Sequence, residues 1–345
     1  MSNNINYIDK VEVSGLWQRY DIVWHLNPDV NILAGINGSG KTTILDCICG
    51  LLSIGKMHDS YFGKVNEVKL FFDNKKCLPY QYIKVNDTIK NLEQKAKKSH
   101  IYKEIISDLK EQEGKNYSKI KSVEFERHST SFEDLKMTLI ELRQAINVDI
   151  VSTFDASLKP SEAVKKLSND KVKTELDLEL YQLQSKYLKY QLNIGRKKDT
   201  LVEESSENFK EEFEKTKYPK ARFLEIIDDL FSETGKKINR EKDEIEFLID
   251  KLEINQFQLS SGEKQLLIIL LTVLIQDNKP SILFMDEPEI SLHIGWQRKI
   301  IRYIRELNPN VQIIIATHSP ALVIEGWHDK VFEIRDIIVK DNKIL

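Results

Sequence analysis

Two patterns of hydrophobic and polar positions divide this chain of 345 residues. In residues 5–85, short apolar runs of strand length alternate with polar, turn-like stretches. Val11–Leu16 and Ile22–Leu26 predict a pair of strands, and Val30–Ala34 predicts a third. Thr42–Ser53 follows with apolar residues at helical spacing, so we expect one helix among these strands.

The strand pattern ends in a predicted hairpin, after which the pattern of hydrophobic and polar positions changes. The hairpin strands are Val65–Phe72 and Tyr80–Val85. Residues 86–146 and 157–240 are rich in Lys and Glu with scattered apolar positions, which is typical of solvated helices. Between them, Val148–Thr153 is an isolated apolar run that we expect to return to the core sheet.

Within the second charged stretch, six apolar residues recur at spacings of 4, 3, 4, 3 and 4. They are Leu176, Leu180, Leu183, Tyr187, Tyr190 and Ile194. This spacing is typical of a coiled-coil seam. Because the stripe covers fewer than three heptads, a helix packed in a bundle is an equally good interpretation.

The strand pattern returns after residue 240. Ser281–Met285, Val311–Ala316 and Val331–Ile334 are apolar runs of strand length. Together the strand pattern and the charged helical pattern predict an α/β protein, in which a mixed sheet with flanking helices carries a large helical insertion.

The same two patterns predict the domain organisation. The core comprises residues 1–85 and 241–345, together with a strand near residues 147–156. The insertion, which contains any short coiled-coil arm, comprises residues 86–146 and 157–240.

Charge gives little information about partners. The formal net charge is only −3, so any surface that binds nucleic acid must be local. Three basic clusters could bind phosphate groups, although such clusters are more often solvated helix faces. They are Lys95–Lys98, Gly195–Lys198 and Gly235–Arg240. Contact with nucleic acid therefore stays open.

Cysteine content and hydropathy predict a cytoplasmic, soluble protein. Cys47, Cys49 and Cys77 form no Cys-x-x-Cys pair, and we expect them to be reduced. The longest apolar run, Leu266–Ile275, is shorter than the ~20 residues that a membrane helix needs. The first residues lack the basic and apolar regions of a signal peptide. We expect no membrane partner.

The predicted third strand leads into a glycine-rich loop and then a helix. The loop, Gly35–Thr42, reads Gly-Ile-Asn-Gly-Ser-Gly-Lys-Thr. Backbone N–H groups of such a loop, with the positive end of the next helix, bind phosphate oxygens. Lys41 would reach the β and γ phosphates, and the Thr42 hydroxyl would hold Mg²⁺. The predicted nucleotide-binding residues are Asn37, Gly38, Ser39, Gly40, Lys41, Thr42 and Thr43.

A second candidate site follows the strand that ends at Met285. Asp286 at the strand end could take Mg²⁺, directly or through water. Glu287 could then polarise an attacking water as a general base. Beside a loop of the phosphate-binding type, this acidic pair favours nucleotide hydrolysis.

A third motif precedes the long apolar run. Ser260 and Glu263 have the spacing of a capping box, which predicts that a helix begins there. A helix start that carries Ser260 and Gly262 is also a potential anion site.

Together with Ala316-Thr317-His318, these motifs resemble those of the ATP-binding cassette (ABC) superfamily. Asp286–His293 resembles the form in RecF-like and overcoming-lysogenization-defect (OLD) ATPases, and the Ser260 motif resembles the SMC/Rad50/RecF type. The resemblance covers roughly residues 5–60 and 255–335. It implies an ABC-type P-loop ATPase core of the SMC/RecF/OLD-like branch, with ATP and Mg²⁺ as cofactors.

The resemblance also implies residue roles. Asp286 supports Mg²⁺, Glu287 is the catalytic base, and His318 senses the γ phosphate. Ser260 and Gly262 would contact ATP held by another copy, so ATP would close a homodimer or a higher homo-oligomer.

Two positions depart from the family pattern. Ser261 replaces the usual first glycine of the Ser260 motif, a small change that should be tolerated. The glutamine of the family's Q-loop has no clear counterpart, with Gln81 and the turn at residues 152–155 as candidates.

We expect neither the zinc hook of Rad50 relatives, since no Cys-x-x-Cys pair is present, nor the nuclease domain of OLD relatives. The chain therefore resembles PtuA-like ATPases of Septu anti-phage systems, which work with a separate nuclease. This resemblance implies an ATPase that regulates a nuclease effector, with the helical middle as the docking surface. A RecF-type DNA-repair ATPase, a transporter's ATPase subunit and a non-hydrolysing sensor are the alternatives.

Overall fold

The computed structural model describes residues 5–52, 65–74, 77–81, 142, 145–151, 171–203 and 208–341. The chain forms two compact units. The first comprises Met1–Pro28, Gly38–Ala145 and Glu333–Leu345, and the second comprises Asp29–Asn37 and Ile146–Phe332.

Strands and helices occur in the following order within the described residues. The strands are β1 (Ile8–Leu16), β2 (Tyr20–His25), β3 (Val30–Ala34), β4 (Glu67–Phe72), β5 (Cys77–Gln81), β6 (Asn147–Val151), β7 (Lys236–Ile238), β8 (Glu246–Ile249), β9 (Leu252–Asn255), β10 (Ser281–Asp286), β11 (Val311–Thr317), β12 (Val331–Glu333) and β13 (Ile338–Asp341). The α-helices are α1 (Lys41–Leu52), α2 (Glu175–Glu203), α3 (Phe209–Phe231), α4 (Ser261–Ile275), α5 (Ile294–Leu307) and α6 (Ile334–Ile337).

The first unit contains a five-stranded sheet in the order β13-β2-β1-β4-β5. Each adjacent pair is antiparallel, so the two predicted strand pairs near the N-terminus are confirmed. The second strand of the predicted hairpin begins earlier than expected, at Cys77, and residues 82–85 lie outside the described part of the chain.

The second unit contains a sheet in the order β12-β3-β11-β10-β6. β3, β11, β10 and β6 are parallel to one another. All seven residues of β11 are buried, which explains why this strand is a continuous apolar run without alternation. The predicted return of the chain to the core sheet near Val148 is confirmed, because β6 pairs with β10.

Helix α4 is the centre of the second unit's core. It is buried from Glu263 to Thr272 on every face, as expected for a helix that is apolar all round. It packs against α2, α3 and α5. Lys264 of α4 forms a buried ion pair with Asp177 of α2, with 2.8 Å between Nζ and Oδ1.

The apolar stripe of α2 belongs to this same core. Its five residues from Leu176 to Tyr190 are buried in one cluster with α3 and α4, and Ile194 packs against that cluster. The stripe therefore packs as one helix of a bundle within the described residues. The division into a core and an insertion at the predicted boundaries stays a prediction.

A three-stranded antiparallel sheet, β7-β8-β9, was not predicted. Its strands are three or four residues long and carry many charges, so they lack a clear strand period. A mixed α/β fold with a parallel sheet and a helical region is as predicted. Of the helices described, none has both the length and the apolarity to cross a membrane.

Candidate functional site

The predicted site residues are divided between the two units. Gly38, Ser39, Gly40, Lys41, Thr42 and Thr43 belong to the first, and Asn37, Ser260, Gly262, Asp286, Glu287 and His318 belong to the second.

In the second unit, three site segments lie at one edge of the parallel sheet. Asp286 of β10 is opposite Ala316 of β11, and Thr317 of β11 is opposite Ala34 of β3. Glu287, His318 and the loop that begins at Gly35 therefore leave the sheet side by side. The carboxyl edge of parallel strands is where α/β proteins bind their ligands.

Glu287 has an unusual backbone conformation, with φ 47° and ψ 51°. A left-handed backbone at a residue other than glycine costs about 1 kcal/mol or more and is concentrated at functional sites. The Glu287 N–H donates to the Ala316 carbonyl oxygen at 2.8 Å, which holds this turn against β11. Glu287 Oε1 lies 3.5 Å from His318 Nδ1. The predicted base and the predicted γ-phosphate sensor are therefore neighbours.

Glu289 also contacts the turn that carries His318, and sequence reasoning missed this residue. It is buried, and its Oε1 accepts hydrogen bonds from the backbone N–H groups of His318 and Ser319 at 3.0 and 3.2 Å. The only signal in the sequence was a second acid two residues after Glu287.

The predicted capping box at the start of α4 is confirmed. The Ser260 N–H donates to Glu263 Oε2 at 3.0 Å, and the Glu263 N–H donates to Ser260 Oγ at 3.4 Å. Ser260 and Ser261 are exposed although the helix they begin is buried. A helix start is thus presented at the surface.

Neighbouring groups keep the buried side chain of Glu263 ionised at this helix start. Its side chain is buried, and Oε1 lies 2.8 Å from Lys236 Nζ. Burial alone would raise the pKa of Glu263, but hydrogen bonds from Lys236, Ser260 and Thr234 outweigh it and lower the pKa. The carboxylate therefore stays ionised and keeps the capping box intact at neutral pH.

Gly262 is required by packing, whatever its role toward a nucleotide. A Cβ at this position would lie 2.3 Å from the Ser291 carbonyl oxygen. Any other residue would push the start of α4 away from the loop that follows Glu289. The predicted nucleotide contact of Gly262 stays a prediction.

In the first unit, the phosphate-type loop has backbone geometry that requires glycine. Gly38 and Gly40 have φ 78° and 103°, in the region that side chains rarely adopt. Helix α1 begins at Lys41, which is buried, and Thr42 is exposed. The Ile44 N–H donates to the Gly40 carbonyl oxygen at 2.9 Å, so the loop runs directly into the helix.

Each unit carries residues of the kind that bind a nucleoside triphosphate with Mg²⁺. In the first unit, the tight glycine turn and the helix start suit phosphate oxygens, and the Thr42 hydroxyl is an oxygen ligand that Mg²⁺ accepts. In the second unit, Asp286 supplies a carboxylate at the end of β10, which is also a ligand that Mg²⁺ prefers. In the part of the chain that is described, no group of three or more His, Cys, Asp or Glu side chains is arranged so that it could hold a metal ion.

Trp17 is a second residue that sequence reasoning missed. A Cβ added to Gly40 would lie 2.7 Å from Trp17 Cη2, so the indole lies directly against the loop. Trp17 and Gln18 have φ 52° and 62° in the three-residue turn between β1 and β2, a backbone region that residues other than glycine rarely adopt. The indole is 37% exposed. It offers a flat apolar surface beside Gly40.

The two candidates for the Q-loop glutamine are not assigned a role. Gln81 is the last residue of β5, and residues 152–155 lie outside the described residues. The basic cluster Lys95–Lys98 also lies outside the described residues.

Comparison with known proteins assigns the family. Residues 30–325 match the AAA_21 family, described as "AAA domain, putative AbiEii toxin, Type IV TA system". The retron Vc95 probable ATPase of Vibrio cholerae serotype O1 biovar El Tor is 24% identical over 192 residues, which are 51% of this chain and 34% of that protein. The retron Ec83 probable ATPase of Escherichia coli is 30% identical over 89 residues, which are 22% of this chain and 16% of that protein.

The chain thus spans about a third or less of the length of these curated relatives. Among solved structures, an Smc head bound to the C-terminal winged-helix domain of ScpA has 15% identity and a TM-score of 0.48, with 97% of each chain covered.

The family match extends over most of the chain and confirms the predicted ATPase class. The chain belongs to the AAA_21 family.

Proposed function

We propose that ATP holds two copies of this ATPase together and that this assembly controls a separate nuclease effector in anti-phage defence. The observation that supports the proposal most is the exposed start of α4. Ser260 and Ser261 are exposed there. The carboxylate of Glu263 stabilises this helix start by accepting a hydrogen bond from the Ser260 N–H. A second copy's ATP could meet this anion-binding helix start.

Each predicted site residue has a proposed role in hydrolysis. Mg²⁺, when bound, neutralises negative charge that develops on the phosphates. Lys41 binds the β and γ phosphates, and Glu287 accepts a proton from the attacking water. His318, whose Nδ1 lies 3.5 Å from Glu287 Oε1, would sense the γ phosphate.

We assign Trp17 to the nucleobase, because its ring lies against Gly40 of the phosphate-type loop. Trp17→Ala is expected to weaken ATP binding about tenfold, since stacking of a base on an aromatic ring contributes roughly 1–3 kcal/mol. Isothermal titration would measure ATP and inorganic triphosphate in parallel. Triphosphate affinity should not change, and Trp17→Phe should keep most of the ATP affinity. Equal ATP affinity in Trp17→Ala and wild type would remove Trp17 from the site.

The defence role is supported by names as well as by motifs. Two of the curated relatives are each named as the probable ATPase of a retron, and the family description refers to a type IV toxin–antitoxin system. The motifs of this chain also resemble those of ATPases that work with a separate nuclease. These points favour a component of a defence system.

A test of partner binding must avoid the apolar stripe of α2. Deleting residues 176–194 would remove side chains from the core of the second unit, so loss of binding would report unfolding. Leu192 of α2 and Tyr218 of α3 are better positions, because they are 64% and 59% exposed. The two helices are adjacent there, since Lys220 contacts Gln191.

We expect a nuclease to co-purify with the tagged wild-type chain and to be lost with Leu192→Glu and Tyr218→Glu. Leu252→Glu, at a position 65% exposed in the β7-β8-β9 sheet, is the matched control and should keep the partner. The chain alone should cut neither DNA nor RNA, with or without ATP. Mg²⁺-dependent cleavage by the isolated chain that survives Glu287→Gln would contradict the proposal, and mass spectrometry of the co-purified chains would identify the partner.

A further inference from the structure

The side chain of Glu289 is a buried acid that joins two loops of the second unit. It is 8% exposed and lies on the short turn that follows Glu287. One oxygen, Oε1, accepts three hydrogen bonds. The donors are Thr317 Oγ1 at 2.5 Å, the His318 N–H at 3.0 Å and the Ser319 N–H at 3.2 Å.

These three donors belong to consecutive residues, so a single oxygen determines the shape of the turn after β11. Two of the donors are backbone N–H groups, and the acceptor is charged, which makes such bonds roughly twice as strong as neutral ones. The carboxylate therefore restrains the backbone of His318 itself, not only a neighbouring side chain.

Gln297 of α5 joins the same two loops at other points. Its Nε2 donates to the carbonyl oxygens of Glu289 and Leu292, at 3.3 and 2.8 Å. Its Oε1 accepts from Ser319 Oγ at 2.7 Å. The backbone of Glu289 is thus held in place, so its carboxylate is presented to the His318 turn from a fixed position.

The ring of His318 faces two carboxylates with the same nitrogen. Nδ1 lies 3.4 Å from Glu289 Oε1 and 3.5 Å from Glu287 Oε1. Both carboxylates therefore lie on the Nδ1 side of the ring. The ring is 46% exposed, and Nε2, on the far side of the ring from Nδ1, is the nitrogen left to meet a ligand.

We propose that Glu289 is a positioning residue for ATP hydrolysis. It holds the turn of residues 317–319 and keeps His318 Nδ1 toward the acids, so that Nε2 is directed toward the nucleotide. The inference rests on the role proposed above for His318. Glu289 has no contact with the nucleotide in this scheme and acts only through His318.

A double-mutant cycle tests whether Glu289 acts through His318. Glu289→Gln preserves the size of the side chain and one acceptor oxygen but removes the charge. Its kcat should fall about tenfold with little change in the KM for ATP, since a hydrogen bond to a charged group is worth roughly a factor of ten or more. The kcat of Glu289→Ala should fall further than that of Glu289→Gln.

In the His318→Ala background, Glu289→Gln should cause no further loss of kcat. An equal loss of kcat in both backgrounds would overturn the inference, because a purely structural role does not depend on His318. Thermal unfolding of each variant checks the fold. If Glu289→Ala does not fold, the Glu289→Gln arm still decides the question.

Imidazole NMR separates failure of this inference from failure of the proposed function. The chain has seven histidines, and the His318 ring signals are those that disappear in His318→Ala. Glu289→Gln should move these signals and leave those of His293 and His328 in place. Unchanged His318 signals would overturn the positioning role. A wild-type kcat in His318→Ala would instead remove His318 from the mechanism, whatever the NMR result.

Discussion

Replacing Glu287 by glutamine is expected to slow ATP turnover by about 100-fold or more while ATP still binds. General base catalysis contributes roughly 10²–10⁴-fold, and an amide cannot take the proton of the attacking water. Glutamine has the same length, so the left-handed turn at Glu287 and the neighbouring His318 should be little disturbed. The variant should accumulate as an ATP-bound dimer, measured by light scattering after gel filtration.

Lys41→Ala is the control for this experiment. It should lose nucleotide affinity and stay monomeric with ATP, because the amino group that binds the phosphates is absent. Steady-state hydrolysis and equilibrium ATP binding would be measured on both variants. Hydrolysis by Glu287→Gln at the wild-type rate would show that Glu287 is not the base.

Mixing two inactive variants is expected to restore ATP hydrolysis if the sites are shared between copies. Ser260→Arg places bulk and positive charge at the exposed start of α4, where we propose that the partner's γ phosphate binds. A heterodimer of Lys41→Ala and Ser260→Arg subunits keeps one site with both an intact Lys41 and an intact Ser260. Some activity should therefore return on mixing.

Ser260→Ala separates the effect on the capping box from the effect on the partner. It removes the capping hydroxyl, at a cost of about 1 kcal/mol of stability, but adds neither bulk nor charge. It should retain much more activity than Ser260→Arg. No recovery of hydrolysis at any mixing ratio would argue for self-contained sites, or for two sites that work only together.

Much of this architecture could be predicted because its signals are local. The apolar runs of β3, β10 and β11 have strand length, and each leads directly into a motif. The capping box joins Ser260 to a residue three positions away, so its spacing alone predicted where α4 begins. Periodicity and capping depend on neighbours in the chain, and those neighbours are visible in the sequence.

The apolar stripe on α2 is an example of a pattern whose periodicity does not distinguish between two kinds of packing. Its spacing of 4 and 3 suits both a coiled coil and a bundle, because both bury the same face of a helix. Burial of Leu176 to Tyr190 with α3 and α4 decides between them within the described residues. The pattern indicates which face is buried but not what covers it.

Sequence patterns were sufficient to predict the strands β3, β10 and β11, the start of α4 and the family of motifs. The contacts of Glu289 with the His318 turn, of Trp17 with Gly40 and of Gly262 with Ser291 became visible only in the folded chain. The first contact joins residues 29 positions apart and depends on the register between β10 and β11. The others depend on how closely a turn or a helix start approaches another segment. Such distances are set by packing across the whole unit, which no local pattern of residues records.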